Sequence, residues 1–168
     1  MKKTFYHNFM PSKEEEEEEA SKATNTRLQT TRVLVEINDV HPPPILDYNN
    51  PWNIKKKLIQ YEVVARKFVI SFTNTFDHIF RYWTLAMANH VVLGHRMSVV
   101  LWDATDEKNP KKYCGDTVYF EILPNDDYVL ACMDLFKDHS LNVDDEIGLY
   151  WDLRSSSFQF KLFLKAIQ

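Results

Sequence analysis

Glycine is nearly missing, with three residues in a chain of 168. A β-rich chain this poor in glycine must build its turns from Asp, Asn and Pro. Cysteine is equally scarce. Cys114 and Cys132 are too few for a disulfide framework and lack metal-ligand spacing, so two small thiols in a reducing compartment are expected. No apolar run approaches the roughly 20 residues a membrane span needs. The basic start Met1-Lys2-Lys3 has no apolar stretch behind it, so a soluble, intracellular protein without a signal peptide is expected. Enzyme signatures are also lacking: there is no Gly-rich phosphate loop, no His-x-x-x-His pair and no nucleophile elbow. The six histidines are scattered, and His90 and His95 lie near Gly94 without the company a metal site needs. Asp126-Asp127 and Asp144-Asp145-Glu146 are paired carboxylates, but both fall in expected turns, where acids are common. Nothing assembles a nucleophile, a base and an oxyanion stabiliser. The expectation is a protein that is not an enzyme, with no catalytic residue, metal ligand or cofactor.

What is present divides near residue 50. Residues 1–50 carry Glu14 to Glu19, a block of like charge that resists compaction, and His41-Pro42-Pro43-Pro44, which forces polyproline geometry. This half reads as a disordered acidic tail, with Thr31 to Ile37 suited to a short extended segment. Residues 51–168 read as one folded domain, dense in apolar side chains. The hydrophobic fraction of 45% and the aromatic fraction of 14% over the chain are enough for a sizeable core.

Within the domain, Trp52 to Leu58 and Lys67 to Phe72 read as strands. Phe76, Ile79, Phe80 and Trp83 share one helical face, with Asn74 as the expected N-cap, and residues 84–95 are ambiguous. Met97 to Asp103 reads as a third strand, Asp106 to Lys112 as a charged loop, Asp116 to Ile122 as a fourth strand and Tyr128 to Ala131 as a fifth. Met133 to His139 suits a short helix. The end is a hairpin in which Ile147, Leu149 and Trp151 alternate with Glu146, Gly148, Tyr150 and Asp152, then Phe158, Phe160, Leu162 and Leu164 with Gln159, Lys161 and Phe163, so each strand can bury one face. Seven short strands with two helices predict a mainly β barrel, open or closed.

The net charge of -4 argues against a nucleic-acid binder only as an average. Residues 55–112 hold ten Lys and Arg against five acids, whereas residues 124–152 hold eight acids against Lys137 alone. Screening confines phosphate attraction to about 8–10 Å, so a basic face can act inside an acidic protein.

The order of motifs adds a family. Pro51-Trp52-Asn53-Ile54-Lys55-Lys56-Lys57-Leu58 opens the domain, followed by Tyr61-Glu62-Val63, Lys67-Phe68-Val69-Ile70 and a helix. Val99-Val100-Leu101-Trp102-Asp103 and Tyr128-Val129-Leu130 come next. Asp145-Glu146-Ile147-Gly148-Leu149-Tyr150-Trp151-Asp152 and Phe158-Gln159-Phe160 end it. Over about residues 51–164 this resembles the plant B3 DNA-binding domain, especially short proteins carrying one such domain at the C-terminal end.

The resemblance implies a seven-stranded open β-barrel with two short helices. It also implies double-stranded DNA bound in the major groove by two arms, in a nuclear transcription regulator. On the first arm Lys56, Leu58, Glu62 and Val63 stand at family positions, while Tyr61, Ile59 and Ser71 replace a serine, a threonine and a proline. Lys67, with Arg66 beside it, occupies the region of the family's arginine. The second arm is Leu123-Pro124-Asn125-Asp126-Asp127, where Asn125 suits adenine and the two aspartates carry the sign that phosphates repel. The expected DNA contacts are therefore Lys55, Lys56, Lys57, Arg66, Lys67 and Asn125. The alternative is a degenerate B3 module of weak DNA affinity that works through protein contacts, with the acidic tail as one partner surface. A small-ligand barrel is a third reading and requires a deep apolar cavity.

Overall fold

The computed structural model describes residues 3–7, 34–38, 47 and 49–167. Within the segment read as a tail, β1 (Lys3–His7) and β2 (Leu34–Asn38) pair antiparallel, and β2 overlaps the extended stretch expected near Thr31 to Ile37. The Glu14 to Glu19 run and the prolines at 42–44 lie outside the described residues, and so does the expectation of disorder there.

From residue 51 the chain runs β3 (Ile54–Lys57), α1 (Gln60–Ala65), β4 (Lys67–Ile70), α2 (Phe72–His78), a 3-10 turn (Phe80–Tyr82), α3 (Leu85–Val92), β5 (Met97–Ser98) and β6 (Leu101–Asp103). It continues with β7 (Lys111–Tyr113), β8 (Val118–Ile122), β9 (Tyr128–Cys132), α4 (Met133–Asp138), β10 (Glu146–Asp152) and β11 (Ser157–Leu164). Two sheets result, in the orders β3-β10-β11-β6-β7 and β4-β9-β8-β5. Only β11 and β6 pair in parallel within them.

The reading of a mainly β domain with few, short helices holds. The number of strands does not: nine are described after residue 51, in two sheets that do not close into a barrel. One extra strand arises because Met97 to Asp103 is not continuous. β5 pairs with β8 in one sheet and β6 with β11 in the other, so the chain changes sheets at Val99-Val100. An unbroken apolar run carries no mark of such a crossing. The other is β7, three residues at the end of the expected charged loop, too short for alternation to show. Four α-helices replace the expected two. α1 lies where no helix is expected, and α3 occupies the ambiguous stretch. Its cap Thr84 accepts a hydrogen bond from Met87 N at 3.2 Å. Helix α2 starts earlier than expected: Ser71, not Asn74, is the N-cap, and its hydroxyl accepts from Asn74 N at 3.2 Å.

Between the sheets lies one aromatic-rich core. Phe68 of β4 packs on Phe160 of β11 at 5.5 Å between ring centres, and Phe120 of β8 on Phe158 of β11 at 5.4 Å. Ile147, Leu149 and Trp151 all face this core, as their alternation predicts. Burial of many such side chains, each contributing about 1.5–3 kcal/mol, is what holds the two sheets together. Asp145, fully buried, ties the segment after the terminal strand to the loop before β10 by accepting from Asn142 N and Ala166 N, both at 2.8 Å. This carboxylate is a turn builder, as expected of an acid in that position.

Candidate nucleic-acid interface

β4 is an edge strand, and its unpaired backbone groups need partners. The connection from β3 supplies them. Glu62 on α1 is wholly buried, and its carboxylate accepts from Val69 N at 2.7 Å and from Ile59 N at 3.1 Å. Lys56 pairs with Glu62 at 2.7 Å and donates to Val69 O at 2.9 Å. One carboxylate and one ammonium thus close both the helix start and the strand edge. Arg66 ends α1 in the left-handed conformation, φ 55°, which turns the chain sharply into β4.

The outward face of the four-stranded sheet follows from its register. Lys67, Ala131 and Tyr119 form one row, and Val69, Val129 and Glu121 the next. Lys67 and Glu121 therefore sit diagonally across β9. They meet at 2.8 Å above Ala131 and Val129, two small or β-branched residues that are both buried. Arg96, just before β5, reaches the other oxygen of Glu121 with Nε at 2.7 Å. Both cations also lie over the Tyr119 ring, Arg96 at 4.4 Å and Lys67 at 5.4 Å from its centre. Burial pushes the Glu121 carboxyl up, but the bonds from Lys67 and Arg96 outweigh it and hold it below the ordinary glutamate value. Burial works to lower the Lys67 ammonium, and the hydrogen bonds and charge attraction from Glu121 and Tyr119 together more than reverse that. All three groups are therefore charged at neutral pH.

The β8–β9 turn stands at the other end of this face. Leu123 N donates to Asp127 O at 2.7 Å, and Asp126 takes φ 68°. Both oxygens of Asp127 are taken up within the protein. Its carboxylate accepts from Phe72 N at 3.1 Å and from Asn125 Nδ2 at 3.0 Å, so it joins the turn to the start of α2. Asn125 is exposed but tied to Asp127 through both ends of its amide.

A family model described as B3 domain-containing protein At5g26805, C-terminal domain, matches residues 52–163. The chain belongs to the plant B3 domain family. Among solved structures the chain is similar to one titled Arabidopsis FUS3-DNA complex. The identity is 18%, the match covers 67% of this chain and 97% of that one, and the TM-score is 0.45. No curated protein matches.

In this B3 domain the six residues singled out from the sequence separate into groups. Arg66 and Lys67 lie together, at the end of the first arm and on the outward sheet face. Asn125 lies in the second arm. Lys55 and Lys57 are exposed on the opposite side of β3 from Lys56, with Lys55 5.1 Å over the Phe163 ring on the five-stranded sheet. Lys56 is engaged by Glu62. Arg96, Tyr119 and Glu121 are absent from the sequence-based set. Alternation places Tyr119 and Glu121 on the polar side of β8, and Arg96 counts in the sequence only as one cation among ten. Only pairing register brings them to Lys67. Among the described residues no group of His, Cys, Asp and Glu is arranged to hold a metal ion, and no helix is long and apolar enough to cross a membrane. Cys114 and Cys132 are free thiols.

Proposed function

We propose that this B3 domain binds double-stranded DNA in the major groove through the outward face of the β4-β9-β8-β5 sheet and its two flanking arms, and acts in the nucleus as a transcription regulator. The observation that carries the reading is the convergence of Lys67 and Arg96 on one face between the arms, in a chain of the B3 family. Lys67 and Arg96, on exchanging Glu121 for a phosphate, are the groups that meet the backbone, and Arg66, with Asn125 once it releases Asp127, is offered to base edges. Lys67 is a point charge and not a fork, so its role is phosphate contact.

The test is binding to a random duplex pool at two salt concentrations, comparing the wild type with a double variant, Arg66→Ala and Lys67→Ala. The expected result is weaker binding by the variant and a shallower salt dependence, by about 0.9 log unit for each phosphate no longer neutralised. Equal affinity and equal slope for the two proteins would overturn the reading. One observation favours the second reading, a B3 module that works through protein contacts: Glu121 neutralises the very cations that face outward. Under that reading the wild type binds duplex only weakly, and the double variant binds it no more weakly than the wild type.

A further inference from the structure

We propose that Glu121 is an internal stand-in for a DNA phosphate: it holds Lys67 and Arg96 as a two-cation clamp and sets a threshold that sequence-independent phosphate binding must overcome. The proposal rests on the duplex-binding reading above and names the residue that regulates that face.

The geometry is that of an anion already bound. Lys67 takes Oε1 and Arg96 takes Oε2, one cation per oxygen, as two cations would share the non-bridging oxygens of a phosphate. They come from opposite edges of the sheet, β4 on one side and the residue before β5 on the other, so no local turn forces them together. Tyr119 supports both cations from below, so their placement does not rest on the carboxylate alone. The floor beneath them is Val129 and Ala131, 0% and 4% exposed, which weakens solvent screening of the clamp from one side. Solvent reaches the site chiefly past Arg96, whose side chain is 62% exposed, while Lys67 keeps 23% and Glu121 16%.

An arriving phosphate meets two cations that are already satisfied and one anion of its own sign. Exchanging carboxylate for phosphate makes as many charge-assisted bonds as it breaks and leaves Glu121 beside a like charge, so phosphate binding here adds little by itself. Binding then depends on what the arms add. A carboxylate in this position therefore lowers affinity for any polyanion while sparing the side chains that read bases.

The experiment compares wild type with Glu121→Gln, which keeps shape and hydrogen-bonding capacity while removing the charge. Both proteins are titrated with inorganic polyphosphate and with a random duplex pool, each at two salt concentrations, and folding is checked by circular dichroism. The expected result is roughly tenfold tighter polyphosphate binding by the variant, with a duplex slope steeper by about 0.9 log unit for each additional phosphate neutralised. Adding Arg96→Gln to Glu121→Gln should return the slope toward that of the wild type. Unchanged or weaker polyphosphate binding by a folded Glu121→Gln protein would overturn the proposal, because Glu121 would then only position the two cations. If the variant tightens on polyphosphate while neither protein retains duplex, the clamp stands and the DNA reading falls.

Discussion

Replacing Glu62 with Ala is expected to lower the stability of the domain by about 2 to 4 kcal/mol, read as a shift in the urea midpoint at constant slope. The carboxylate is fully buried and serves three donors at once: Ile59 N, Val69 N and the Lys56 ammonium. Removing it strands two backbone donors and leaves a cation without its partner. The lower part of the range reflects Lys56, whose side chain is 23% exposed and can turn toward water. Glu62→Gln should fall between, since one amide oxygen replaces two carboxylate oxygens. A loss below about 0.5 kcal/mol for the Ala variant would show that the first arm holds its shape without this group.

Trp151→Ala should destabilise the fold by about 3 to 5 kcal/mol, as truncation of a large core aromatic does. Trp151 packs edge-on against Trp83 at 5.3 Å and Phe158 at 5.0 Å, and so joins the helical segment to the five-stranded sheet. It also forms part of the wall of a hollow of about 260 Å³ with Met87 and Met97, which its loss would enlarge. Thermal or chemical denaturation of the variant gives the value. A measured loss under about 1 kcal/mol would mean that the Trp83 packing contributes nothing to cohesion.

The terminal hairpin is legible in the sequence because Ile147, Leu149 and Trp151 alternate strictly, and period two has one physical cause. β8 is legible for the same reason, and β4 and β9 from their β-branched and aromatic content. Three features are not. The residues of α1 carry no amphipathic stripe: Val64 is 71% exposed, and what fixes the helix is a buried glutamate bonded to the strand that follows. The crossing at Val99-Val100 separates two sheets within one apolar run, and nothing local marks it. The candidate site is half visible. Arg66 and Lys67 stand out as adjacent cations, but Arg96 and Glu121 are remote in sequence and meet at Lys67 only through the β4-β9-β8-β5 register. The reverse error has the same origin. Lys55, Lys56 and Lys57 read as one basic block, and a strand sends alternate side chains to opposite faces, so Lys56 turns inward to Glu62 while its neighbours face solvent. Asp127 likewise looks like an obstacle to phosphate and is a cap on Phe72 N.

If duplex DNA meets the outward face of the four-stranded sheet between the two arms, the amides of that face must respond to it. Amide chemical-shift mapping during titration with a duplex oligonucleotide reads this residue by residue. The perturbed amides are expected to cluster at Arg66 to Ile70, Arg96, Tyr119 to Glu121, Asn125 and Val129 to Ala131. Perturbations confined to Lys55, Trp102, Lys112, Tyr150 and Gln159, on the other sheet, would place the DNA on the wrong face and contradict the proposed interface.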